Sequence, residues 1–329
     1  MKKLRLLATG GTIASTPGAA GLAPSLDGRF LKDAISDSQH ACTIESRDLF
    51  SIDSTNMQPE HWLTIAKAIL EDYDHFDGFV ITHGTDTMAY TAAALCYLLA
   101  SLDKPIIITG SQVPLQNQKT DARQNLMDAV RMALEPFGGV FVVFNGKVIA
   151  GTRAMKIRTK SFDAFESINF PYIGLIENGK ITYHVSLSPL VSSPFPRSLS
   201  LCPDVALLRL YPGINPLLLD AIAPLCKGLV IESFGNGGIP SLERNLLPKI
   251  EQLIEQGVIV VITTQCLQEG EDISLYEVGR KVAENRRIII SKDMNTEAII
   301  PKLMWALGQT RDPLLIHSIM ETPIFYDCT

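Results

Sequence analysis

The 329-residue sequence is informative first in what it lacks. Six cysteines (Cys42, Cys96, Cys202, Cys226, Cys266 and Cys328) are scattered without a CxxC pair. That excludes a paired-thiol zinc or redox motif and fits reduced thiols in a cytoplasmic protein. The histidines at 40, 61, 75, 83, 184 and 317 share no ligand spacing, so no metal is assigned. GxxxxGK[ST] and GxGxxG are both absent, which excludes the phosphate loop and the dinucleotide fingerprint. No window reaches the ~18 apolar residues of a membrane span. The start, Met1 to Gly10, is basic, but its apolar stretch falls short of the roughly 7–15 residues of a signal peptide and reads as a buried first strand. No basic block appears and the net charge is −6, so neither nucleic acid nor an anionic membrane is an expected partner.

With 46% hydrophobic and 19% charged residues, the chain is too apolar for disorder and long enough for one large or two medium domains. Short apolar runs recur, most of them ending in Thr or Ser: Leu4-Ala8, Gly78-Thr82, Ile106-Thr109, Val140-Phe144, Leu229-Ser233, Val258-Thr263 and Ile288-Ser291. Continuous runs of this length suit strands buried on both faces of a parallel sheet. Helical spacing lies between them, from Pro59 with Ile65, Ala66, Ile69 and Leu70 inward, from Asp86 to about Ala100, and from about Ala122 to Leu134. The alternation predicts an α/β protein with an open, mainly parallel sheet. Between Ser186 and Pro203, ten of 18 residues are Ser or Pro, which marks a connector. The expected organisation is a larger N-terminal domain over 1–185, a linker over 186–203 and a smaller α/β domain over 204–329. Pro17 to Gly28 reads as a flexible loop, and no internal repeat is present.

In an open α/β sheet, ligands bind beyond the carboxyl ends of the strands. Three polar clusters fall there: Thr9-Gly10-Gly11-Thr12, Asp53-Ser54-Thr55-Asn56-Met57 and Thr82-His83-Gly84-Thr85-Asp86-Thr87. Glycines allow close backbone approach, and a helix N-terminus suits an oxyanion. Taken singly, each has an ordinary reading: a strand-to-helix corner for the first, helix caps for Ser54, Thr55 and Asp86, and a hydrogen-bonded turn residue for His83. Taken together they form a nucleophilic site without histidine. Thr12 and Thr85 supply hydroxyls, Asp86 a carboxylate, and Lys156 or Lys160 a lysine whose burial would favour the neutral amine.

The segments Ala8-Thr9-Gly10-Gly11-Thr12-Ile13-Ala14 and Ile81-Thr82-His83-Gly84-Thr85-Asp86-Thr87-Met88 closely resemble the two threonine signatures of bacterial-type L-asparaginases. Asp53 to Met57 resembles the substrate loop of that family. Lys156, six residues before the Phe162-Asp163-Ala164-Phe165 run, falls where the family has its catalytic lysine. Thr264-Gln265-Cys266 and Met294-Asn295-Thr296-Glu297-Ala298 resemble the cytosolic, type I branch.

The resemblance implies an amidohydrolase that releases ammonia from L-asparagine through an acyl-threonine ester, with no cofactor. Thr12 would be the nucleophile, and Thr85, Asp86 and Lys156 the second triad. Ser54 and Thr55 would hold the α-carboxylate, Asp86 would pair with the ammonium, and backbone donors near Gly11, Thr12 and Thr85 would face the oxyanion. It also implies a homotetramer, a dimer of dimers with sites between subunits, to which the Ser233–Gly238 turn with Asn236 would contribute. A second asparagine site near Cys266 is a further implication, beside the plain reading of Cys266 as a small buried thiol.

One departure stands out. Where relatives carry a tyrosine in the mobile loop this chain has Leu22, and no tyrosine precedes Tyr73. Tyr276, in a segment resembling one that type I relatives bring to a neighbouring pocket, is the candidate substitute, beside its reading as a core tyrosine. Two other activities share these residues. One is the ammonia-making component of a glutamyl-tRNA amidotransferase, which normally has an extra N-terminal domain. The other is a catalytically silent amino-acid sensor.

Overall fold

The computed structural model describes residues 1–18, 21–35, 42–187, 198–273 and 287–328. They fall into two compact units, Met1–Leu199 and Ser200–Thr329. Part of the Ser186–Pro203 connector, and Tyr276 with the residues around it, lie outside the described residues.

The strands of the first unit are β1 (Lys2–Gly10), β2 (Ser15–Gly18), β3 (Gly21–Pro24), β4 (Cys42–Ile52), β5 (Gly78–Thr82), β6 (Pro105–Thr109), β7 (Gly139–Phe144), β8 (Lys147–Ala150), β9 (Ala154–Lys156), β10 (Phe165–Ser167), β11 (Gly174–Glu177) and β12 (Lys180–Tyr183). Its helices are α1 (Gly28–Asp33), α2 (Pro59–Asp72), α3 (Met88–Leu98) and α4 (Ala122–Ala133). Eight strands form one sheet in the order β12-β11-β8-β7-β6-β5-β1-β4. The five from β7 to β4 run parallel, and β8, β11 and β12 extend the sheet antiparallel. The apolar runs earn their central places: β5, β6 and β7 are buried at every position. Burying each such Val, Ile or Phe stabilises the fold by about 1.5–3 kcal/mol. Helix α3 (MAYTAAALCYL) is buried on nearly all sides, and its alanines permit close packing on the sheet.

Three local expectations give way. Pro17 to Gly28 is not an irregular loop: β2 and β3 pair antiparallel from Ser15↔Pro24 to Gly18↔Gly21, and Gly28 opens α1. Neither proline disrupts the ribbon, because a two-stranded hairpin leaves both outer edges free of ladder bonds. Asp86 does not cap α3, whose N-cap is Thr87. Nor do Ser54 and Thr55 cap α2: they begin a 3₁₀ turn capped by Asp53, and α2 starts after Gln58.

In the second unit β13 (Val205–Arg209), β14 (Gly228–Ser233), β15 (Ile259–Thr264) and β16 (Ile288–Ile290) form a parallel sheet in that order. Its helices are α5 (Leu217–Ile222), α6 (Leu247–Glu255), α7 (Thr296–Gln309) and α8 (Pro313–Glu321). Lys302 in α7 and Asp327 form a fully buried ion pair at 2.7 Å, and Lys302 also donates to the carbonyls of Met320 and Thr322. No helix among the described residues is long and apolar enough to cross a membrane.

Candidate active site

Strand order places the site. From β1 the chain passes to β4 on one side, whereas β5 leads through α3 to β6 on the other. Neighbouring strands whose connections diverge leave a crevice at their carboxyl ends, the usual ligand position in such sheets. In the second unit the strands advance in sequence order, so its sheet has no such switch.

The turns after β1 and β5 therefore lie side by side. Ala8 is in register with Thr82, and the Thr9 hydroxyl donates to Thr82 O at 2.8 Å. Gly11 has φ 78°, and a Cβ there would overlap the Gly84 backbone. A glycine is required at this crossing, and it brings the turn holding Thr12 against the turn holding Thr85. Thr12 follows in a one-turn 3₁₀ helix and is half-buried. The third cluster joins them through buried Ser54, whose Oγ accepts from Asp86 N–H at 3.3 Å and whose carbonyl accepts from the Thr87 hydroxyl at 2.7 Å. Thr55 is exposed, and its N–H and hydroxyl both donate to Asp53 Oδ1.

Lys156 closes the arrangement from the end of β9. Its Nζ donates to Thr85 Oγ1 at 2.7 Å and to Asp86 Oδ1 at 2.6 Å. The lysine side chain is 16% exposed and the Asp86 side chain 54%, so the ion pair has a sheltered side and an open side. Lys160 is exposed and makes neither contact.

Sequence reasoning missed Gln112. The Thr85 hydroxyl donates to Gln112 Oε1 at 3.4 Å, and Gln112 Nε2 donates to Ser161 O at 3.0 Å. Buried Asp121 fixes the Gln112 backbone by accepting from the N–H groups of Gln112 and Val113. The signal was available, since Ser111-Gln112 follows the run Ile106–Thr109 at the carboxyl end of the strand beside β5.

His83 is a fully buried turn residue. Nδ1 faces Gly84 O at 2.7 Å, and a carbonyl can only accept, so the proton sits on Nδ1. Nε2 then accepts from the Thr91 hydroxyl at 2.9 Å, and that oxygen accepts from Trp62 Nε1–H at 3.0 Å. Burial pushes the imidazole down to about 4, keeping it neutral. Among the described residues no cluster of three or more His, Cys, Asp or Glu could hold a metal ion.

The remaining candidates belong to the second unit. Asn236 sits in a turn closed by reciprocal bonds between Phe234 and Gly238, and lines a cavity of about 720 Å³ with Phe234, Ile239, Cys266 and Glu269. Cys266 is an exposed free thiol, not the buried one of the plainer reading, because it follows the end of β15 in a surface turn.

Comparison with known proteins identifies a family. Residues 3–188 match the family described as Asparaginase, N-terminal, and residues 204–320 the Glutaminase/Asparaginase C-terminal domain. The chain is 40% identical over 329 residues to a Thermococcus kodakarensis protein named L-asparaginase, covering 99% of each. The solved structure of the thermostable L-asparaginase from that organism matches with a TM-score of 0.93 over 99% of each chain, at 39% identity. L-asparaginase I from Vibrio cholerae matches with a TM-score of 0.87 and 29% identity, covering 100% of this chain and 99% of that one. A Pyrococcus abyssi protein named as one subunit of a glutamyl-tRNA(Gln) amidotransferase is 33% identical over 98% of this chain and 76% of its own length.

Proposed function

The chain belongs to the asparaginase family, in its type I branch, and from that premise we propose that it hydrolyses L-asparagine to L-aspartate and ammonia. The observation that carries the reading is Lys156 Nζ within bonding distance of both the Thr85 hydroxyl and the Asp86 carboxylate.

Thr12 Oγ1 attacks the side-chain amide carbon, passing its proton to a base at the mouth of the site. The Gly11 N–H is bonded to Ile52 O, so the tetrahedral oxyanion is met by the backbone N–H groups of Thr12 and Thr85. Collapse breaks the C–N bond, and protonation of the nitrogen releases ammonia and leaves an acyl-threonine ester. Water then attacks the ester, its proton passing through Thr85 to Lys156 in its neutral amine form. The ester C–O bond breaks, a proton returns to Thr12 Oγ1, and aspartate leaves. Asp86 pairs with the substrate ammonium through its open side while Oδ1 holds Lys156. Ser54 and Thr55 hold the α-carboxylate. No metal or organic cofactor takes part in the proposed route.

The assembly we propose is a cytoplasmic homotetramer in which Asn236 and Tyr276 of one subunit complete the site of another, and in which the cavity beside Cys266 takes a regulatory asparagine. Tyr276 stands in for the loop tyrosine replaced by Leu22. Supply of ammonia to a glutamyl-tRNA amidotransferase uses the same chemistry, and the higher identity to an L-asparaginase favours the free-standing hydrolase. Ammonia release from L-asparagine by the purified protein, without any partner protein, is the test. A protein silent toward L-asparagine under those conditions contradicts the reading.

A further inference from the structure

Lys156 occupies a strand that the main sheet does not hold. Its strand, β9, pairs with β10 in a separate two-stranded ribbon, and Thr85 follows a strand of the eight-stranded sheet. A 2.7 Å contact between elements of two different sheets needs something to set their relative height.

Lys147, the first residue of β8, belongs to the main sheet and reaches across to the ribbon. Its Nζ lies 2.6 Å from Asp163 Oδ1, 3.0 Å from Glu166 Oε1 and 3.4 Å from Phe165 O. Phe165 is the register partner of Lys156, so the contacts bracket the residue directly opposite the site lysine. The side chain of Lys147 is only 15% exposed. Burial pushes its ammonium down, but bonding to Asp163, Tyr172 and Glu166 outweighs this and holds it above the usual lysine range. Arg158 adds bonds to Asp163 and Glu166, and the Tyr172 hydroxyl bonds the other oxygen of Glu166. The loop between β9 and β10 also carries Ser161, whose carbonyl holds Gln112 against Thr85.

We propose that Lys147 is a positioning residue, an anchor that joins the ribbon to the main sheet at Asp163, Phe165 and Glu166 and thereby sets Lys156 Nζ over the Thr85 hydroxyl. The proposal rests on the reading of Lys156 and Thr85 as working partners in hydrolysis. Misplacement of such a group by about 1 Å costs rate on the order of 10²-fold even when the substrate still binds. Removing the anchor should therefore lower kcat more than it alters KM. The Phe144–Phe165 ring contact, with centroids 5.0 Å apart, keeps the ribbon folded without the charge.

Steady-state ammonia release from L-asparagine, with melting curves, decides the matter for wild type, Lys147→Met and Lys147→Arg. Lys147→Met is expected to lose kcat about 10–100-fold with KM within about threefold, and Lys147→Arg to recover to within about threefold of wild type. A Met variant that keeps kcat within about threefold overturns the proposal, as does an Arg variant that assembles normally yet is as slow as the Met variant. If Lys147→Met does not fold, Asp163→Asn replaces it, with a kcat loss beyond about threefold supporting the anchor and anything smaller overturning it. If wild type itself releases no ammonia, the reading of the site is what fails. The anchor is then judged from crystal structures of wild type and Lys147→Met. Withdrawal of Lys156 Nζ from Thr85 Oγ1 upholds its positioning role, and an unchanged contact refutes it.

Discussion

Lys156 Nζ lies 2.7 Å from the Thr85 hydroxyl, across 71 residues of sequence, while Thr85 in turn donates to Gln112. The hydroxyl thus accepts from a nitrogen on one side and donates to an amide oxygen on the other, and its proton can turn to Nζ only when Lys156 is the neutral amine. If Lys156 is the proton partner, Lys156→Met should reduce kcat by on the order of 10²–10⁴-fold. Lys160→Met, altering an exposed side chain away from this pair, should keep most activity. Comparable rates for the two variants would count against the assignment.

Tyr276→Phe removes one hydroxyl and keeps the ring. If Tyr276 replaces the loop tyrosine as acid–base participant, kcat should fall about 10²–10⁴-fold in a normally assembled variant. A rate within about threefold of wild type returns Tyr276 to an ordinary packing role.

Glu271 gives a pH dependence of known sign. Its Oε1 accepts from the N–H and hydroxyl of Ser291, whereas Oε2 is buried without a hydrogen-bond partner among the described residues. Burial pushes the carboxyl from 4.5 up to about 8. The folded protein therefore holds a proton that the unfolded chain has released, and the associated stability is present below pH 4.5 and lost as pH rises through about 8. Glu271→Gln keeps the shape without the titration. Its melting temperature relative to wild type should rise steadily between about pH 5 and pH 8.5, and a pH-independent difference would contradict the burial argument.

The Lys302–Asp327 pair anchors the end of the chain to α7 with both side chains fully buried. Asp327→Asn leaves a buried ammonium without its counter-charge and should cost about 3–5 kcal/mol in urea unfolding. Lys302→Met combined with Asp327→Leu should recover much of that loss, since well-packed apolar groups avoid the desolvation penalty.

Much of this architecture is legible in the sequence because burial on both faces writes a parallel strand as an unbroken apolar run, as in β5 and β6. Strand β4 escapes notice for the opposite reason. It lies at the sheet edge, and its Glu45, Arg47 and Asp48 interrupt the hydrophobic pattern. The short antiparallel strands β8 to β12 are set by pairing partners and turns more than by their own composition. At the site, the two glycine–threonine turns are readable because close backbone approach demands glycine. The position of Gln112 beyond the end of β6 is readable too, but its bond to Thr85 is not, and neither is the role of Lys147, since these come from neighbours far along the chain that no local spacing encodes.

The central claim is a threonine mechanism for L-asparagine hydrolysis, and the most direct measurement is kcat for ammonia release by Thr12→Ala and Thr85→Val beside wild type. Both residues sit in short turns beyond the strand ends, so each variant should fold and assemble as wild type does. The account predicts that either substitution lowers kcat by about 10³-fold or more. A correctly folded Thr12→Ala or Thr85→Val protein that releases ammonia within a few-fold of the wild-type rate would contradict it.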